Sequence, residues 1–150
     1  MLFTSCRMSI EKIKESDDFE SCINYVVDNI NKCYEGSNNI TTDQKAVYNP
    51  SSKTLIIFIG KSQNDFFSKW EIPLSELDER TVKIDTNILD FFEVHTLNKI
   101  EKIKYYNKIE NNENSSDINY YLPSYCYKKR DKQMFVESFK RAIILSKRNN

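Results

Sequence analysis

From Lys45 to Tyr127 the chain passes from one strand-like segment to the next, with no apolar stretch of helical spacing between them long enough to serve as a crossover. Parallel strands need a crossover of a dozen or more residues, usually a helix, so a parallel βαβ sheet is excluded and antiparallel pairing remains. The clearest segment is Thr54 to Ile59, which reads TLIIFI. A continuous β-branched and aromatic run predicts a central strand covered on both faces. Around it, strands are expected at Lys45–Tyr48, Phe66–Ile72, Val82–Asp85, Phe91–Leu97, Ile100–Ile109 and Ile118–Tyr127. Asn49-Pro50-Ser51-Ser52 and Gly60–Asp65 read as turns, Pro73 ends ladder pairing, and Leu74–Asp78 reads as a short helical turn. Glu110–Asp117, ENNENSSD, has no apolar anchor and reads as a polar loop.

A helix is expected at each end of this series. Phe19, Cys22, Ile23, Val26, Ile30 and Cys33 recur at helical spacing, with Asp17 as N-cap and Gly36 as the stop. At the other end, Phe135, Phe139, Ala142 and Ile143 form a core-facing stripe behind an Asp131 N-cap. The fold class is therefore α+β: an N-terminal helix, six to seven antiparallel strands and a C-terminal amphipathic helix.

The C-terminal helix lies in the most basic part of the chain. Ile118 to Asn150 carries eight Lys/Arg against two acidic residues, while the formal net charge is zero, so the first 117 residues carry −6. Such asymmetry marks either an anionic partner or a solvated helix face. Lys140, Arg141, Lys147 and Arg148 lie mostly away from the apolar stripe, where a solvated face explains them. Lys128, Lys129 and Arg130 precede the expected Asp131 cap, at the helix end where positive charge is least favourable. That triplet is the candidate anion- or partner-binding site.

A chain of 150 residues is one domain by length, here 9–150, and its nine Phe, nine Tyr and single Trp can fill one core. Two Gly and three Pro argue against phosphate-cradling loops and Pro-rich linkers. Cys6, Cys22, Cys33 and Cys126 form no C-x-x-C pair, and free thiols point to a cytoplasmic location. Leu2 to Cys6 resembles the end of a bacterial lipoprotein signal without its charged and long apolar regions. Residues 1–8 are thus expected outside the fold, disordered or a signal remnant. Cys6 is the candidate lipidation site, with membrane anchoring as the alternative location.

Seven strands in two crossed sheets, closed by a C-terminal amphipathic helix, resemble the pleckstrin-homology-like architecture from about Lys45 to Lys147. Trp70–Leu77 and Phe139–Ile143 also resemble stretches of small bacterial proteins. The pleckstrin-homology-like resemblance implies a phosphoinositide site at the barrel end opposite the helix. It would place Asn49–Lys53, Ser75–Arg80 and Glu110–Asp117 there, with two positive and six negative residues. Such an end repels phosphate.

Enzymatic signals are sparse. His95 is the only histidine and shares a strand face with Glu93, which would suit a general base, but no nucleophile accompanies it in sequence. One His and four scattered Cys do not supply a metal-ligand set, and the acidic cluster Glu76, Asp78 and Glu79 lacks a cation-loop pattern, so neither a metal nor a cofactor is expected. The tyrosines before Lys128 offer stacking partners for nucleic acid, but an isoelectric point near 6.6 argues against it. The expectation is a non-enzymatic binding or adaptor protein. Its partner would be a protein or peptide, and an acidic one would suit the basic face of the C-terminal helix or the groove beside it. Peripheral association with anionic lipid and a small enzyme using His95 are the alternatives.

Overall fold

The computed structural model describes residues 9–33, 44–85, 91–108, 112–116, 122–123 and 129–148. The fold is α+β. Helices α1 (Ile10–Glu15) and α2 (Phe19–Cys33) lead into β1 (Gln44–Asn49), β2 (Thr54–Ser62) and β3 (Asp65–Pro73). After a 3-10 turn at Leu74–Glu76 come β4 (Leu77–Asp85), β5 (Phe91–Thr96), β6 (Ile103–Asn107), β7 (Asn112–Ser116), β8 (Leu122–Pro123) and helix α3 (Lys129–Arg148). One sheet has the order β1-β2-β3-β6-β7 and the other β4-β5-β8, with antiparallel pairing throughout. The β4–β5 hairpin thus leaves the larger sheet after β3, and β6 rejoins it.

Register explains the double burial of TLIIFI. Ala46, Ile57, Trp70 and Tyr105 form one cross-strand row, and Tyr48, Leu55 and Ile72 another, on the face that meets the helices. Trp70 and Tyr105 stack with ring centroids 5.0 Å apart. On the opposite face Ile56 and Phe58 are also buried, and Lys69 extends over the rings of Phe66 and Tyr106. β2 is therefore covered on both sides, as a run without polar alternation requires.

The core lies where α2, α3 and the two sheets meet. Cys22, Ile23, Val26 and Ile30 of α2 pack with Leu55, Ile57, Ile72, Val82, Val94 and Ile103 of the sheets, and with Phe135, Phe139, Ala142 and Ile143 of α3. The predicted stripe of α3 is buried, and so are Met134, Val136, Ser138, Arg141, Leu145 and Ser146. The helix is enclosed on more than its apolar stripe because α1, α2, the 3-10 turn and β4 all pack on it.

Several local expectations are corrected. Asp18, not Asp17, caps α2: its Oδ1 accepts from the Ser21 backbone N–H at 3.0 Å, and its Oδ2 from the Ser21 hydroxyl. Those bonds hold the Asp18 carboxyl below its usual range. Asp131 is not the cap of α3 but its third residue, since the helix begins at Lys129. The polar segment after β6 contains β7, whose backbone extends the ladder despite its composition. Helix α1 has no sequence expectation behind it; Ser9 caps it and Ile13 anchors it in the interior. Gly36 lies outside the described residues, as does most of the expected strand Ile118–Tyr127.

Among the described residues the expected acidic end forms only in part. The β1–β2 turn meets the 3-10 turn after β3, where Leu74 donates its N–H to the Lys53 carbonyl at 3.2 Å, and β7 ends on that side with Ser116 opposite Ile103, whereas it begins at the other end of the sheet with Asn112 opposite Asn107. Leu77 to Arg80 belongs to β4 and packs toward α3. Asp78 and Glu79 belong instead to β4, which weakens the electrostatic argument against an anion at that end.

Gly60 makes a bulge between β2 and β3 possible. Register slips there so that Ile59 faces Ser68 while Gly60 faces Phe66, leaving Phe67 as the extra residue of a β-bulge. Gly60 has φ +150°, and a Cβ at this position would stand 2.5 Å from the Phe66 Cα.

Candidate functional site

Three of the four cations singled out on the outer face of α3 are tied to other parts of the molecule. Arg141, only 9% exposed, donates from Nε to the carbonyl oxygen of Ser16 and from Nη2 to Asp17 Oδ1 at 3.1 Å. Arg148 Nη1 reaches the same Asp17 oxygen at 3.0 Å. Lys147 donates to Glu79, and Lys140 lies 3.8 Å from Glu137. The solvated helix face expected from sequence is thus replaced by ties to the segment between α1 and α2 and to β4. The physical reason is the burial of α3: an enclosed guanidinium needs a partner for its donors. Burial alone would raise the Glu79 carboxyl, but the Lys147 hydrogen bond and charge outweigh it and leave the group lowered.

The cluster Glu76, Asp78 and Glu79 does not converge. Asp78 is taken by Arg80, which donates from Nε at 2.8 Å and Nη2 at 2.7 Å, and this fork holds the Asp78 carboxyl down at about 2. Glu79 turns instead to Lys147, in the stretch where β4 falls out of register with β5.

β5 brings Glu93 and His95 together on one face, and β4 adds Lys83 opposite Glu93. Glu93 is buried, at 7% exposure. Its Oε1 lies 2.7 Å from His95 Nε2 and its Oε2 lies 3.3 Å from Lys83 Nζ. Thr81, the nearest hydroxyl along β4, donates to the Asp78 carbonyl and accepts from the His95 backbone N–H. Both oxygens of Glu93 and the hydroxyl of Thr81 are therefore engaged in holding the hairpin together. Among the described residues, no group of three or more His, Cys, Asp or Glu side chains converges to hold a metal ion.

Beside α3 runs a groove bounded by α1 and β4. It consists of two adjoining cavities of about 330 and 390 Å³ that share Lys14, Glu137 and Lys140. Ile10, Val82, Ile84 and Val136 line one cavity, with Lys83 at its side. Ile144, Arg80, Glu79 and Arg141 complete the other. Five cations and two carboxylates line the whole. Arg80 and Arg141 are committed to Asp78 and Ser16–Asp17. Lys14 makes no ion pair among the described residues, Lys140 holds Glu137 only at 3.8 Å, and the Lys83 side chain is largely exposed.

Of the residues singled out in the sequence, Lys128 and Cys6 lie outside the described residues. Lys129 and Arg130 are the first two residues of α3, inside the helix rather than before its cap. Sequence reasoning named the groove beside the helix but not Lys14 or Lys83. The available signal for Lys14 was Ser9, a helix-capping residue directly before Ile10 and three before Lys12, whose N–H it caps. Among the described residues no helix is long and apolar enough to cross a membrane. No known family model matches the chain, nor does any curated protein or solved structure.

Proposed function

We propose that this protein is a non-enzymatic binding module, an adaptor that receives an acidic peptide segment of a protein partner in the groove between α1, α3 and β4. The observation that carries this reading is the pairing of an apolar floor, Val82, Ile84 and Val136, with Lys14 and Lys140, whose charge is weakly committed within the fold, and with Lys83, which keeps a largely exposed side chain beside Glu93. Exposed ion pairs contribute about 0–1 kcal/mol each, so three lysines select and orient an acidic ligand while apolar contact supplies most of the affinity. A free, buried Cys22 supports a cytoplasmic setting. The core would be a variant of the pleckstrin-homology-like scaffold, on the support of two antiparallel sheets and a C-terminal helix; an experimental structure that does not superpose on that scaffold would remove this part.

The test is selection from a random peptide library displayed on phage. Enriched sequences should combine Asp or Glu with apolar residues, and Lys14→Glu with Lys140→Glu should weaken their binding at least tenfold. Replacing Lys128, Lys129 and Arg130 together by Glu should leave that binding largely intact. Loss of binding in the triplet variant alone moves the site to the start of α3.

A further inference from the structure

Among the described residues the smaller sheet ends at β4 on one side, and its hydrogen-bond parity fixes where the main chain of that strand points. Phe91 and Phe92 of β5 stand opposite Pro123 and Leu122 of β8. Proline has no N–H to exchange, so Phe92 carries the bonds to β8, and the main-chain groups of Phe91, Glu93 and His95 turn toward β4. The His95 N–H agrees, donating to Thr81 Oγ1 at 2.8 Å. Lys83 and Asp85, opposite Glu93 and Phe91, therefore exchange bonds with β5. The Val82 carbonyl and both the N–H and the carbonyl of Ile84 are left pointing away from β5, and among the described residues none of the three has a hydrogen-bond partner. Val82 is only 2% exposed, so its carbonyl is shielded from water as well, and shielded main-chain groups rarely go unpaired.

The edge lies beside α3 rather than beneath it. Val82 and Ile84 turn their side chains to the core that α3 covers, while Lys83 turns its own to the opposite face, beside Glu93. All three line the cavity of about 390 Å³, together with Ile10 and Lys14 of α1. A cavity reached by side chains from both faces of a strand runs along the edge of that strand.

We infer that the groove takes its acidic peptide as an added antiparallel strand, paired with β4 through Ile84. This mode, which rests on the peptide site proposed above, narrows the partner to an extended segment with alternating side chains. The ligand residue opposite Ile84 exchanges two main-chain bonds with it and shares its face, toward Ile10 and Val136, so it is apolar. The residues on either side of it lie on the face of Lys83, so they are acidic.

The test uses the full chain and a synthetic peptide alternating glutamate and valine, with versions N-methylated at every valine or at every glutamate. The unmethylated peptide should bind, and hydrogen exchange at the Ile84 amide, fast in the free chain, should slow at least tenfold in the complex. Methylating the valine nitrogens, which face β4, should weaken binding at least tenfold, whereas methylating the glutamate nitrogens, which face away, should change it less than about threefold. A peptide that binds in the groove, losing affinity to the Lys14→Glu, Lys140→Glu variant, yet leaves the Ile84 amide exchanging freely overturns strand addition and spares the acidic-peptide site. Equal sensitivity to both methylation patterns does the same, as does an Ile84 amide already protected in the free chain, or binding of library-selected acidic peptides but not of this one. Failure of every acidic peptide to bind overturns the site and the strand together.

Discussion

Replacing Arg141 by alanine tests whether the basic helix is tied internally or simply solvated. The side chain is 9% exposed, its Nε donates to the Ser16 carbonyl, and its Nη2 meets Asp17 at 3.1 Å. A hydrogen bond from a charged donor contributes about 1.5–3 kcal/mol. The Asp17 pair adds only about 0–1 kcal/mol, because the Asp17 side chain is 82% exposed. Loss of packing along the buried stem makes the change somewhat costlier. Arg141→Ala should therefore destabilise by about 2–4 kcal/mol. In urea, with a slope of about 2 kcal/mol per molar, the midpoint falls by about 1–2 M. Asp17→Asn should cost under about 1 kcal/mol, and salt should weaken that small effect far more than the Arg141 effect. Arg141→Lys keeps the charge but not the fork, and should fall between wild type and alanine. An Arg141→Ala cost below about 0.5 kcal/mol, or equal to that of Asp17→Asn, would refute the reasoning and restore a solvated face.

Three further outcomes are expected. Gly60→Ala should lower stability by about 1–3 kcal/mol, or roughly 2–10 °C in melting temperature by calorimetry, because the added Cβ meets main-chain atoms of Phe66 and Asp65. Asp18→Ala should cost about 1 kcal/mol through loss of the α2 cap, measured by urea titration, and an insignificant loss would show that Asp18 does not cap the helix. Asp78 is held at about 2 by Arg80, below its ordinary 3.8, so its stabilisation is complete above about pH 4 and lost as pH falls toward 2. Acid titration of Asp78→Asn should show lower stability at neutral pH and a shallower fall over that window; an unchanged acid limb would contradict the assignment.

Much of the architecture was legible because it rests on periodicity. TLIIFI, the α2 stripe and the Phe135–Ile143 stripe are local patterns with one physical solution, burial, and Leu55–Phe58, then Cys22, Ile23, Val26 and Ile30, and Phe135, Phe139, Ala142 and Ile143 are buried. What escaped depends on contacts between distant residues. Nothing near Arg141 in sequence announces Ser16 and Asp17, which lie more than a hundred positions earlier. The same holds for Asn31 on Ala46 and Lys147 on Glu79. The segment Asn112–Ser116 lacks β-propensity and is a strand because β6 offers its edge, a tertiary override of local preference. Asp17 and Asp18 are equally good caps by sequence; position in the fold divides them, Asp18 to the helix and Asp17 to two arginines. The charge asymmetry was visible in full, but its use was not, because a cation's partner is set by tertiary packing.

The most direct test of the groove is to map the binding surface of a library-selected acidic peptide by amide chemical shifts on the isotopically labelled chain. The account predicts the largest shifts at Lys14 of α1, Val82 and Lys83 of β4, and Val136 and Lys140 of α3, with the shifts suppressed in the Lys14→Glu, Lys140→Glu variant. Shifts concentrated on the outer face of the larger sheet, around Phe58, Phe66 and Tyr106, would contradict it, as would a map unchanged in that variant.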